Sequence, residues 1–179
     1  MLIEGLNMKV EEGREYSLFE TERCTVNSLQ ESDYIDVEKI YENQEVRKFL
    51  GGIRQKDSIR VIVEEMLNSS QESYYWVVRE KYTESFIGLV SLDLHHDEVY
   101  QEVSYQFLPH WWGKGYAREV ITVIINFALN ELHLSSILAE TQTANEASCR
   151  LLERLGMKLE YTTFRFGAEQ AIYSIKTRK

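Results

Sequence analysis

Hydrophobic and polar positions change period several times along this chain, and each change marks an element. The cleanest stretch is VYQEVSYQFL, residues 99 to 108. It sends Val99, Val103, Tyr105 and Phe107 to one face and Tyr100, Glu102, Ser104 and Gln106 to the other, the alternation of a half-buried strand. YYWVV (74 to 78) and SFIGLVSLDL (85 to 94), joined by polar REKYTE, read as an antiparallel pair, and RCTVNSL (23 to 29) as a strand before them. A period of 3.6 takes over at Ile59, Ile62, Val63 and Met66, with Asp57 placed as a cap. It returns at Ala117, Val120, Ile121, Ile124, Ala128 and Leu132 in a helix that starts at or just after Gly115. Ser32 or Asp33 is placed to cap a further helix reaching Tyr41, and Asn145 and Gly156 to open and stop another. SSILAETQ (135 to 142), MKLEYTTFRF (157 to 166) and AIYSIK (171 to 176) complete the strands. This order implies one α/β (α+β mixed) domain: a mixed, mostly antiparallel sheet of six to seven strands with about four helices on both faces. The first twenty residues carry mixed signals, either an extra strand or an arm.

Composition narrows the picture without changing it. With 179 residues, 44% hydrophobic and 27% charged, and a single proline, the chain can bury one full core. A formal net charge of −9 argues against nucleic-acid or anionic-membrane partners and favours basic or amine ones. Cys24 and Cys149 lie far apart, no signal-peptide pattern opens the chain, and no apolar run could span a bilayer. A cytoplasmic, reduced protein is the expectation.

The chemistry concentrates at HWWGKGYA, residues 110 to 117. Gly113 and Gly115 let the backbone turn sharply and let a ligand approach its N–H groups. The helix that follows presents unpaired donors and a positive dipole end. Strand, glycine loop and helix start together make either an anion site, most simply for a pyrophosphate, or an ordinary strand-to-helix turn in which the tryptophans pack. Neither the dinucleotide fingerprint nor the lysine-terminated phosphate loop is present. Lys114 and Arg118 either add charge or are solvated.

The same stretch resembles the acyl-CoA pyrophosphate loop of the GNAT N-acetyltransferases: Gln or Arg, two residues, Gly, one residue, then Gly or Ala, with His110 at the first position here. EVSYQFLPHWWGKGYAREVI, TANEASCRLLERLGMKLE and FETERCTVNSLQESD are similar to three ordered motifs of its RimJ/RimL branch, whose members include ribosomal-protein N-terminal acetyltransferases. Ser104 replaces a usual glycine, and Cys24 and Asn27 a usual Leu and Arg. The resemblance covers most of residues 19 to 176 and leaves 1 to 18 as an extension of open role.

It implies acetyl-CoA as co-substrate, with no metal. Phe107 and Leu108 would offer backbone to the substrate thioester and pantetheine arm. The N–H groups of Gly113, Lys114, Gly115, Tyr116 and Ala117 would cradle the pyrophosphate, one of Trp111 and Trp112 would pack under the loop and the other line the cleft, with Trp112 the cofactor-binding candidate, and Asn145 would both cap its helix and contact the cofactor arm. Ser148 would hydrogen-bond the thioester sulfur, although a serine near a helix start is equally a cap or packing residue. Glu102 would serve as general base, directly or through water, against the plain alternative of a solvated strand carboxylate. The implied reaction is direct acetyl transfer to a primary amine. The acceptor is a protein N-terminal α-amine, or else an aminoglycoside, polyamine or amino acid; a non-catalytic acyl-CoA sensor is the reading from another class. A homodimer is compatible. His95, His96, Asp97 and Glu98 read as a polar loop rather than a metal cluster, Cys149 as a semi-buried thiol, and Trp76 as core.

Overall fold

The computed structural model describes residues 6–11, 14–70, 72–97 and 99–177, with side chains from Phe19 onward. Nine strands form one sheet in the order β1-β2-β3-β4-β5-β6-β7-β9-β8. They are β1 (Leu6–Glu11), β2 (Arg14–Glu20), β3 (Cys24–Ser28), β4 (Tyr74–Glu80), β5 (Phe86–Leu94), β6 (Gln101–Phe107), β7 (Ser136–Gln142), β8 (Lys158–Arg165) and β9 (Ala168–Lys176). Every pairing is antiparallel except β6 with β7. The sheet exceeds the expected six to seven strands because β1 and β2 form a hairpin that extends it beyond β3. Helices are α1 (Tyr34–Tyr41), α2 (Gln44–Arg47), α3 (Lys56–Leu67), α4 (Tyr116–Asn126) and α5 (Glu146–Arg154). The fifth, α2, is one turn capped by Asn43, whose side chain accepts from the Glu45 and Val46 N–H groups, too short to register as a period.

Alternation along the strands sorts side chains onto two cores. On one face Trp76, Val78, Val103 and Phe107 pack with Val120, Ile121 and Ile124 of α4 and Leu152 of α5. On the other, Val77 and Leu89 pack with Val37 and Ile40 of α1 and Ile59 and Val63 of α3. The expected α4 stripe is buried as drawn at Val120, Ile121, Ile124 and Ala128. The helix then loosens into a π-helical turn, Phe127–Glu131, that the periodicity did not announce. Two expectations shift by a residue or two. Asp57 lies inside the first turn of α3, behind Gln55 as cap position, and Val99 and Tyr100 are exposed ahead of β6.

One local irregularity positions everything downstream. Between β4 and β5 the register runs Val78 to Gly88 and then Arg79 to Phe86, so Ile87 is an extra residue, a β-bulge. The bulge shifts phase, so that Ile87 and Val90 share one core while Phe86 and Leu89 share the other. On its β6 side the Ile87 carbonyl accepts the Leu108 N–H at 2.9 Å, tying the exit of β6 to the bulged residue. Gly88 is required there. A Cβ on it would sit 2.2 Å from the Phe107 ring and 2.3 Å from the Gln106 carbonyl oxygen.

Gly88→Ala should therefore destabilise the protein by about 1–3 kcal/mol or more, the usual cost of forcing atoms into a packed core. Urea denaturation measures it, and an unchanged midpoint would contradict the close approach of β5 and β6.

Candidate active site

β6 and β7 run parallel but pair only at Gln101 with Ile137 and Glu102 with Leu138. Beyond those pairs β6 stays with β5 through Phe107, and β7 stays with β9 through Gln142. The two strands part, and a wedge opens in the sheet between residues 103–107 and 139–142. Each strand leads by a short loop into a helix on the same face, so α4 and α5 both begin at the wide end of the wedge.

The loop from β6 to α4 is built to expose its backbone. Pro109–Trp111 form a 3-10 turn, Gly113 and Gly115 have φ of +72° and +86°, and Gly115 caps α4 without any side-chain hydrogen bond. The donors of the first turn are thus left for a ligand. Gly113 is exposed, and a Cβ there would meet nothing within 4 Å. Lys114 is exposed, with its ammonium 5.9 Å from the Trp111 ring centroid. Trp111 donates its indole N–H to the Phe86 carbonyl at 3.1 Å and packs edge-on against Tyr116. Trp112 donates to the Phe107 carbonyl at 2.6 Å, and its ring is 47% exposed at the loop. The Leu108 N–H is held by Ile87 and its carbonyl accepts from Trp111, so its remaining lone pair and side chain are what it can offer an occupant. Ala117 is half-buried against the core.

Across the wedge, Asn145 caps α5 by accepting the Ser148 N–H at 3.3 Å. The Ser148 hydroxyl is 2.7 Å from the Tyr105 hydroxyl of β6, a hydrogen bond that crosses the opening. Burial pushes the Tyr105 phenol up to about 12. It stays protonated and can donate to Ser148 Oγ, leaving the serine proton free for an acceptor in the wedge. The alternation places Tyr105 on the face of Val103 and Phe107; the hydroxyl contact depends on where α5 begins. Cys149 is half-buried, its thiol 3.9 Å from the Gln142 carbonyl.

At the narrow end, Glu102 faces Ser104 of its own strand, His95 just past β5 and Glu140 of β7. His95, expected in a polar loop, is instead buried, 1% exposed, with Nε2 3.9 Å from Glu102 and 3.4 Å from Glu140. Arg165 donates to Glu140 from Nε at 2.7 Å and again from Nη2, which also lies 3.1 Å from His95 Nε2. On its other side His95 Nδ1 lies 3.1 Å from Asp97 Oδ2 and 3.3 Å from the Asp97 backbone nitrogen. His95, His96 and Glu140 bring ligand atoms within 4.8 Å of one another, but Arg165 already supplies the cation there. Glu98, the last member of the expected loop, lies outside the described residues. Among the described residues no lysine or arginine pairs with Glu102. Its side chain is 20% exposed, its one hydroxyl partner is Ser104 at 3.3 Å, and burial raises its pKa, with Glu140 adding to the rise and His95 opposing it. Two carboxylates with divergent surroundings are the arrangement from which a base is made.

The opposite face of the wedge is roofed by the loop after α2. Arg47, buried, donates to Gln106 Oε1 of β6 at 2.9 Å and to the Gly52 carbonyl at 3.0 Å, while Gln142 of β7 donates to the Phe49 carbonyl at 3.1 Å. Leu50 and Ile53 on this loop are exposed.

Residues 23–158 match the family model described as an acetyltransferase (GNAT) domain. The chain is 26% identical over 151 residues to an uncharacterized N-acetyltransferase, YoaA, of Bacillus subtilis (strain 168), covering 81% of this chain and 85% of the relative. Its fold is similar to spermidine N-acetyltransferase from Vibrio cholerae in complex with CoA and spermine: TM-score 0.73, 19% identity, 86% and 95% of the two chains. It is also similar to RimL, a ribosomal L7/L12 alpha-N-protein acetyltransferase: TM-score 0.77, 10% identity, 96% and 100% of the two chains. At these identities the two structures speak for the fold alone. Among the described residues no helix is long and apolar enough to cross a membrane.

The buried carboxyl yields a stability test. A raised folded pKa means the native state holds a proton that the unfolded state has released, so ionised Glu102 lowers stability as pH climbs through that window. Glu102→Gln should melt higher than the native protein at neutral pH, and the gain should vanish below about pH 4, under the ordinary glutamate range. Thermal melts across pH measure it; a variant less stable at neutral pH would mean that His95 outweighs burial.

Proposed function

This chain belongs to the GNAT acetyltransferase family, and we propose that it transfers an acetyl group directly from acetyl-CoA to a protein N-terminal α-amine, in the manner of the RimJ/RimL branch. The carrying observation is the wedge: inner strand edges unpaired beyond Glu102, a glycine loop at one lip and Ser148 at the other. Unpaired strand edges inside a sheet need hydrogen-bonding partners, and an extended pantetheine arm with its amides supplies them as an added strand would. The residues fit the cofactor: exposed positive-φ glycines and an uncapped α4 suit a pyrophosphate. When bound, acetyl-CoA supplies the activated thioester carbonyl.

The residues then divide the work. Glu102 takes the proton from the attacking amine, directly or through water, as the C–N bond forms. Ser148 O–H hydrogen-bonds the leaving sulfur as the C–S bond breaks, backed by Tyr105. Phe107, Leu108 and Asn145 align the arm, and Trp112, Gly113, Lys114, Gly115, Tyr116 and Ala117 hold its phosphates. The acceptor enters under the 48–53 loop, where Leu50 and Ile53 suit the side chains of a peptide. A polyamine is the second reading, favoured by the paired carboxylates Glu102 and Glu140 beneath that loop. In this reading residues 19–179 are the catalytic domain and 1–18 an extension, in a cytoplasmic protein.

Thiol release from acetyl-CoA against a panel of N-terminal peptides and polyamines tests the proposal. Turnover with peptides supports it, turnover with polyamines alone selects the second reading, and CoA-dependent stabilisation without turnover would make the protein a sensor. Ser148→Ala should cut kcat about 100-fold while CoA affinity stays within a few-fold; unchanged kcat would remove Ser148 from the mechanism. Activity should rise with pH through an apparent pKa above the usual glutamate range, and Glu102→Gln should be slow and lack that limb.

A further inference from the structure

The turn between β2 and β3 reaches across to the glycine loop and the start of α4. Glu119 lies in the first turn of α4 with its side chain 18% exposed. Its Oε1 accepts the Thr21 hydroxyl and, at 2.8 Å, the Arg23 backbone N–H. Its Oε2 accepts Arg23 Nε at 2.8 Å, with Nη2 2.7 Å away. The other arm of the guanidinium donates to the Lys114 carbonyl at 3.0 Å, and its plane lies 4.1 Å from the Tyr116 ring centroid. Thr21 is itself pinned: its N–H reaches the Cys24 carbonyl at 2.9 Å and its hydroxyl accepts the Cys24 N–H at 2.8 Å.

We infer that Thr21 and Arg23 are positioning residues that sequester the Glu119 carboxylate, so that the first-turn donors of α4 remain available to a polyanion. The inference rests on the reading that this loop binds the CoA pyrophosphate. A carboxylate in the first helical turn is drawn to the same unpaired N–H groups and positive dipole end that the phosphate needs. Left loose, it would compete for those donors and repel the ligand. Here both oxygens are turned toward the β2–β3 segment, and Arg23 neutralises the charge beside the site. Burial alone would raise the Glu119 carboxyl, but hydrogen bonds from Thr21 and Arg23 and the guanidinium charge hold it below the ordinary range, so a full negative charge is present to be neutralised. The Lys114 contact fixes the loop from the same anchor, and a Cβ on Gly115 would stand 3.3 Å from Arg23 Nη2, so the loop and its clamp are closely fitted.

Calorimetric titration with CoA, and with pantetheine, which lacks the pyrophosphate, tests the clamp on the full-length protein. Native protein that binds no CoA would sink the cofactor reading; the clamp is judged only by the variants relative to that value. Arg23→Ala should weaken CoA by about 10-fold or more and leave pantetheine unchanged, and kcat at saturating acetyl-CoA should be kept. The double variant Arg23→Ala/Glu119→Gln should recover most of the lost affinity, because the offending charge is gone. Failure to recover would overturn the inference in favour of a direct Arg23–CoA contact or a purely structural role. Should Arg23→Ala not fold, Glu119→Gln alone decides: CoA binding as tight as in the native protein, or tighter, supports the clamp, and a 10-fold loss overturns it.

Discussion

The separation of β6 from β7 after two paired residues is the constraint on which the rest depends. A sheet gains from every hydrogen bond in its ladder, so strands that part within it leave unpaired N–H and C=O groups where the surroundings would otherwise be dry. Here the parting is enforced from both sides. The bulge at Ile87 and the close approach at Gly88 hold β6 to β5, while β9 pairs β7 along its whole length. Neither strand can close the gap without giving up its outer partner. The open edge is therefore a property of the fold rather than of a loop, and it is rigid enough to align a substrate, which is where much of the rate of acyl transfer to an amine arises.

Around that opening, polar groups are arranged by what buries them. At the wide end the glycine loop and α4 offer backbone donors with no side chain in the way. At the narrow end Arg165 takes Glu140, leaving Glu102 as the carboxylate whose proton affinity burial raises. Between them Tyr105 and Ser148 bridge the two lips. In the proposed reaction one wedge separates anion binding, leaving-group contact and proton removal along its length. The proposed anion site and the net charge of −9 are compatible locally: the dipole end of α4 and the neutralised Glu119 act over a few ångströms, while the overall field is screened beyond about 8–10 Å in salt.

Much of this was legible in the chain, and what was not has a common cause. The two-residue period of β6 placed Glu102 and Tyr105 on opposite faces, and the 3.6-residue stripe of α4 fixed which side of the helix is buried, because both patterns are local. Asn145 and Gly156 announced the ends of α5 by their own backbone chemistry. The hairpin β1–β2 gave no clear period. The burial of His95 depends on Glu140 and Arg165, respectively 45 and 70 residues later. The bulge at Ile87 appears only when the phase of β5 is set against β4, and the partners of Arg23 lie about 90 residues away. Contacts of that separation leave no period to read; the segment FETER stood out by resemblance alone.

Amide hydrogen exchange with and without CoA addresses the central claim, that the wedge and its two helix starts hold the cofactor. The account expects added protection in residues 103–118 of β6, the glycine loop and α4, and in residues 139–149 of β7 and α5, with little change in α1 and α3. Protection confined to the α1–α3 face, or none at saturating CoA, would contradict it.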